Sequence, residues 1–163
     1  MCSQTSNTRH QIAARALQDF FMLNVPLARS AKISVHSYDG EKLVFQAPLE
    51  PNINDKGTAF GGSTYVLCVS TAWGMSSIKA QELGLDGELV VAKAEIEYLR
   101  PLSETLVAEV LSPGPEELQH FKDSFERHAK AVFELRAVVN NSEGKACARF
   151  KGKYALLKKQ RGA

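Results

Sequence analysis

Apolar residues recur along the chain with two different periods, and the switches between them mark out its elements. Over residues 9–23, Ile12, Ala16, Leu17, Phe20 and Phe21 fall at helical spacing. That predicts an amphipathic helix, ended by the region of Pro26. Period two follows: Ile33 and Val35 alternate within residues 32–38, and Leu43, Phe45 and Ala47 within residues 42–47. Asp39-Gly40 between these runs is a two-residue hairpin signal. From about residue 62 to 83 a second helix carries Tyr65, Val66, Leu67, Val69, Ala72, Trp73 and Met75, which cannot share one face. Such a helix must be covered on most sides. Gly84 stops it, and Asp86-Gly87 turns the chain.

Strands dominate thereafter. Residues 89–98 set Val91, Ala94, Ile96 and Tyr98 among Lys93, Glu95 and Glu97, with an imperfect period. Residues 106–111 are almost wholly apolar. Residues 131–139 alternate Phe133, Leu135, Ala137 and Val139 against Glu134 and Arg136, and residues 145–157 put Ala146, Ala148, Phe150, Tyr154 and Leu156 opposite Lys145, Arg149, Lys151 and Lys153. The last of these is an antiparallel strand with one wet face. Between the fourth and fifth strands, Pro115 with Glu116 and Glu117 opens a helix bearing a narrow stripe of Leu118, Phe121 and Phe125. Such an insertion reads first as the cover for a sheet edge, and second as a gate or a subunit contact.

One long sheet wrapped around one helix satisfies both the apolar helix and the half-wet strands, an α+β architecture. The expected organisation is a polar segment and helix over 1–25, a single domain over 26–157, and a basic tail over 158–163. At 163 residues a second independent core is not expected. A net charge of +2 gives no reason to invoke nucleic acid. Cys2, Cys68 and Cys147 are scattered without a C-x-x-C pair, which argues against a disulfide framework or a zinc site and suits a reducing compartment. The polar N-terminus does not read as a signal peptide, and no stretch reads as a membrane span. The expectation is a soluble cytoplasmic protein with no cofactor and no metal.

The chemistry concentrates in the loop Pro51-Asn52-Ile53-Asn54-Asp55-Lys56-Gly57-Thr58-Ala59-Phe60-Gly61-Gly62-Ser63, which runs into the apolar helix. A helix N-terminus leaves its first N–H donors unpaired and carries partial positive charge. Gly61 and Gly62 would let a ligand approach that backbone closely. This is one way to build an oxyanion hole, with the Asp55 carboxylate nearby. The plainer alternative is a glycine-rich loop that starts a helix, capped by Ser63 or Thr58. Asp55 likewise reads either as a base or as a turn residue.

The order of elements and this loop resemble the hotdog-fold thioesterases, in particular the family typified by the C-terminal domain of bacterial YiiD. Gly84-Leu85-Asp86-Gly87 and Tyr98-Leu99-Arg100-Pro101 are also similar to that family, and the resemblance runs from about residue 26 to 157. It implies hydrolysis of an acyl-CoA or acyl-carrier-protein thioester at a site formed between the subunits of a homodimer; whether dimers pair into a tetramer is left open. Gly62 matches the amide that polarises the thioester carbonyl, and Asn54 matches a polar loop position. Two departures stand out. Phe60 replaces the histidine of the His-Gly-Gly found in many relatives, and Val69 occupies the helix position where phenylacetate-pathway relatives carry a carboxylate. Asp55 is the natural substitute, as the acidic residue of the loop and the first half of the helix.

The catalytic set expected is therefore Asn54, Asp55 and Gly62, with Phe60, Gly61, Ser63, Tyr65 and Trp73 as substrate-binding candidates; for the aromatics, core packing is the commoner role. His10, His36, His120 and His128 lie far from the loop in sequence. Ser63 and Ser70 lack the G-x-S-x-G elbow of a serine hydrolase. The absent helix carboxylate keeps a second function open, a module that binds acyl thioesters without turning them over. A dehydratase ranks last, because its loop histidine and helix carboxylate are both missing.

Overall fold

The computed structural model describes residues 2–159, with side chains from Asn7 onward. Helix α1 spans Cys2–Asn24, starting seven residues before the expected 9. No glycine or proline interrupts that polar stretch, so the helix extends beyond its apolar face. Leu17 and Phe21 are buried from it. A short helix α2, Pro26–Ser30, follows, with proline in its first turn.

Strands β1 (Ser34–Tyr38) and β2 (Lys42–Ala47) form the hairpin. Its turn is shifted by one residue from the expectation. The Asp39 N–H donates to the Lys42 carbonyl at 3.3 Å, so Gly40 and Glu41 are the central pair, with Gly40 at φ +99. Asp39 instead braces the turn by accepting from the Glu41 and Lys42 amides at 2.9 and 2.7 Å.

The central helix α3 is Gly61–Glu82, followed by β3 (Glu88–Tyr98), β4 (Leu106–Leu111), α4 (Pro115–His128), β5 (Lys130–Asn140) and β6 (Ala146–Leu157). The six strands form one antiparallel sheet in the order β1-β2-β4-β5-β6-β3. The chain thus leaves β2, runs through α3 and lays β3 on the far edge beside β6. The imperfect period of β3 has a physical cause. Val91 pairs with Tyr154 and Lys93 with Lys153, so Ala92 is an extra residue in a bulge.

Leu67, Cys68, Ala72 and Met75 of α3 are fully buried. A Cβ on Gly74 would stand 2.8 Å from Leu17 and 3.2 Å from Leu43, so glycine is what lets α1 and β2 close on the helix. The Tyr154 hydroxyl donates to the Val69 carbonyl at 3.0 Å, tying β6 to the helix. At the C-terminal end Gly84 sits at φ +71. Its amide donates to Gln81 (2.9 Å) and that of Leu85 to Ala80 (3.0 Å), the paired bonds of a Schellman stop.

The insertion α4 covers an interior strand rather than the edge of the sheet. β4 pairs with β5 only at Val139, Val138 and Ala137. Against the part of β5 that β4 leaves, α4 lays Phe121 flat on Phe133, rings 3.5 Å apart and 3° from parallel. Of the basic tail, Lys158 and Lys159 are described, and Lys159 reaches Asp86 at 3.0 Å; residues 160–163 lie outside the described residues.

A polar knot joins the hairpin to the end of α3. The Lys79 ammonium, with its side chain 8% exposed, donates to the Gly40 carbonyl at 2.7 Å and pairs with Glu82 at 2.9 Å. The Tyr38 hydroxyl donates to the same carboxylate at 2.8 Å. Burial, then the Glu82 hydrogen bond and charge, hold the Tyr38 phenol far above its ordinary value. The unfolded chain therefore releases this proton first, above about pH 10, and stability is lost as pH rises from there. In urea titrations the unfolding midpoint should fall between about pH 9 and pH 11, and less steeply in Tyr38→Phe. Parallel curves for the two proteins would remove Tyr38 from that linkage.

Candidate active site

The glycine loop is held by its own amides. Asn52 is buried. Its side-chain amide donates to the carbonyls of Ala31 (2.9 Å) and Pro48 (2.8 Å), and its backbone carbonyl accepts from Phe60 at 2.7 Å. Asn54 braces the loop from within. Its Oδ1 accepts from the amides of Lys56 (2.9 Å) and Thr58 (3.1 Å), while its Nδ2 donates to Thr58 Oγ1 at 2.9 Å. Gly57 at φ +76 completes the turn. Asp55 stands at the exposed tip, its side chain 80% accessible and paired with Lys56 at 3.0 Å.

Helix α3 starts directly from this loop with Phe60 as its N-cap residue, extended at φ −65, ψ 131, and with no side-chain cap. Neither Ser63 nor Thr58 caps it; Thr58 is engaged by Asn54. The first intrahelical bond is from the Thr64 amide to the Phe60 carbonyl, 3.0 Å. Among the described residues the amides of Gly61, Gly62 and Ser63 have no partner, so three donors of a 22-residue helix are left at its positive end.

A cleft of about 350 Å³ opens at this point, lined by Ala59, Gly61, Thr64, Tyr98, Arg100 and Cys147 among others. Strand β3 brings Tyr98 across it. The phenol donates to the Gly61 carbonyl at 2.7 Å, and the ring lies 3.3 Å from where a Gly61 Cβ would be. Burial, with smaller contributions from Cys68 and Tyr65, raises the Tyr98 pKa, so the hydroxyl keeps its proton at neutral pH and acts as a donor. The Phe60 ring occupies the space a Cβ on Gly62 would need, and is itself 56% exposed. Cys68 is buried and its thiol is pushed up to about 12, which leaves it a neutral core residue.

Of the expected residues, Gly61 lines the cleft, and Gly62, Ser63 and Phe60 lie at its helical start. Asn54 and Asp55 are not in its wall. Tyr65 turns its ring edge to Phe150, centroids 5.9 Å apart. Trp73 is a core clamp: it stacks on Phe20 at 5.0 Å, meets Phe21 edge-on, and donates its indole N–H to the Leu89 carbonyl at 3.1 Å. Neither is among the residues that line this cleft. Tyr98 is not among the residues expected from sequence, yet it lines the cleft. Its visible signal was an aromatic ending a strand just before Leu99-Arg100-Pro101, inside a stretch that already carried the family resemblance.

A six-stranded antiparallel sheet with a long central helix is the arrangement of the hotdog fold. The family described as "Putative thioesterase (yiiD_Cterm)" matches residues 14–158, and the chain belongs to it. Among solved structures it is similar to a protein of unknown function from Chlorobaculum tepidum. The two are 39% identical over 95% of this chain and 99% of that one, with a TM-score of 0.89. A putative thioesterase from Shewanella oneidensis is 31% identical over 90% of this chain and 99% of its own, TM-score 0.78. A thioesterase from Haemophilus influenzae shares the fold at 13% identity, covering 92% of this chain and 94% of its own, TM-score 0.67. No helix among the described residues is long and apolar enough to cross a membrane.

Proposed function

We propose that the protein is an acyl thioesterase acting on an acyl-CoA or acyl-carrier-protein substrate. The observation that carries this reading is the row of free amides at Gly61, Gly62 and Ser63, opening beside a cleft at the end of the glycine loop. The thioester carbonyl oxygen lies against the Gly62 amide. Water attacks the carbonyl carbon, the negative charge gathers on that oxygen, and the C–S bond then breaks to release the thiolate. One preorganised donor of this kind contributes about 3 kcal/mol to the transition state.

Asp55 takes the proton from the attacking water and returns it to the thiolate. In one protomer its carboxylate faces outward from the loop tip, so this role belongs to a site shared between two copies. The edge strand β3 supports a homodimer. It is 11 residues long, it pairs on one side only, and it exposes Val90 and Val91, features that favour pairing with another chain.

The test is thiol release from a panel of acyl-CoAs and an acylated carrier protein. Asp55→Asn should fall at least about tenfold in kcat, the loss of a positioned base. Wild-type rates in that variant would reject Asp55 as the base. The cleft wall contains no carboxylate, which favours one second reading, a module that binds acyl thioesters without hydrolysis. Binding of acyl-CoA by the wild type with no thiol released above background would establish that alternative.

A further inference from the structure

The Gly61 carbonyl and the Gly62 N–H are the two ends of one planar peptide unit. Whatever holds the oxygen therefore sets the direction in which the N–H points. Glycine flanks that unit on both sides, so side chains restrict its rotation less than elsewhere in the helix. The N–H end has no partner among the described residues, which leaves the carbonyl end as the place to fix it. There the Tyr98 hydroxyl donates at 2.7 Å, with its ring against Gly61. Tyr98 is itself anchored, since β3 pairs it with Ala148 of β6.

Packing does not account for this hydroxyl. Tyr98 is 54% exposed, so water could serve its oxygen. The Gly61 carbonyl is already the acceptor that the helical ladder offers to the amide four residues on. The extra bond does have an effect at the other end of the peptide, because a carbonyl that accepts a second donor polarises its own N–H.

We propose that Tyr98 is the positioning residue of the oxyanion amide: through the Gly61 carbonyl it fixes the Gly61–Gly62 peptide plane and strengthens the Gly62 N–H as a donor. This rests on the thioesterase reading above and deepens it. Tyr98 does not touch the substrate carbonyl in this role; it acts through the peptide. The cleft wall keeps its shape when only the hydroxyl is removed, so the effect falls on the chemical step and not on binding.

The experiment compares the full-length wild type with Tyr98→Phe by steady-state thioester hydrolysis and by the ¹⁵N resonance of the Gly62 amide. The expected result is a fall in kcat of about fivefold to twentyfold with KM unchanged within about twofold. The Gly62 nitrogen should move upfield as its carbonyl partner is lost. A merely structural role would lower the melting temperature without moving that resonance. Gly61→Ala gives a second route, because its methyl would press the Tyr98 ring away at 3.3 Å, and several-fold lower kcat is expected there too. The proposal is overturned if Tyr98→Phe turns over within about twofold of the wild type, or if kcat falls while the Gly62 resonance stays in place. A wild type that releases no thiol at all is a different outcome. It removes the thioesterase reading first and this role with it.

Discussion

Replacing Gly62 by proline should lower kcat for thioester hydrolysis about a hundred- to a thousandfold while the protein stays folded. Proline deletes one atom that matters, the amide hydrogen, at a position where that hydrogen makes no helical bond. The second residue of a helix tolerates proline for this reason. The ring also needs the space that Phe60 fills, but Phe60 is more than half exposed and can swing outward. Gly62→Ala is the matched control. Its Cβ displaces the same ring yet keeps the N–H, so its kcat should remain within about tenfold of the wild type. Comparable activity in the two variants, each shown to be folded by circular dichroism, would take the oxyanion away from Gly62.

This pair separates two roles that the loop combines. Asn52 and Asn54 make the bonds that give the loop its shape, whereas Gly61, Gly62 and Ser63 leave theirs unmade. By sequence, Ser63 and Thr58 are the candidates to close the start of the helix. Both are present and neither does so. The open end persists because Asn54 draws Thr58 back into the turn, and because Phe60, with no side-chain oxygen, stands at the capping position.

Local pattern carried most of the architecture. Residues 42–47 are a strand at the bounds their alternation implies, residues 106–111 one at the bounds of their short apolar run, and Pro115 opens α4 where its charge pattern places it. These features depend on neighbours in sequence, where period and capping chemistry act. What escaped was long-range. Tyr98 meets Gly61 because the chain carries β3 across the sheet to lie beside β6, and no spacing within residues 89–98 encodes that partner. Trp73 lies on the helix its surroundings in sequence imply, but its direction toward Phe20 and Leu89 follows from where α1 docks. Asp55 shows the same limit from the other side. Its nearness in sequence to the glycines suggested nearness in space, yet the Asn54 turn projects it outward.

Truncating Phe121 to alanine should destabilise the protein by about 3–5 kcal/mol and leave turnover per folded molecule unchanged. Phe121 is 1% exposed and lies flat on Phe133, so its removal leaves a cavity between α4 and β5 that neither element can easily close. The helix is well terminated, with the Gly114 amide donating to Glu117 at 3.0 Å and Ala129 in a left-handed stop at φ 56. It is therefore held in shape while its anchor is lost. At roughly 2–4 °C per kcal/mol for a chain of this size, the melting temperature should drop by about 6–20 °C. The cleft meets β5 at Val139, six residues from Phe133, or about 20 Å along the strand. At a temperature well below the transition, kcat and KM should thus match the wild type. A melting temperature lowered by less than about 2 °C would mean that α4 contributes little to the core. A lowered kcat in fully folded protein would instead link the insertion to the reacting end of the molecule, contrary to the separation that the strand imposes.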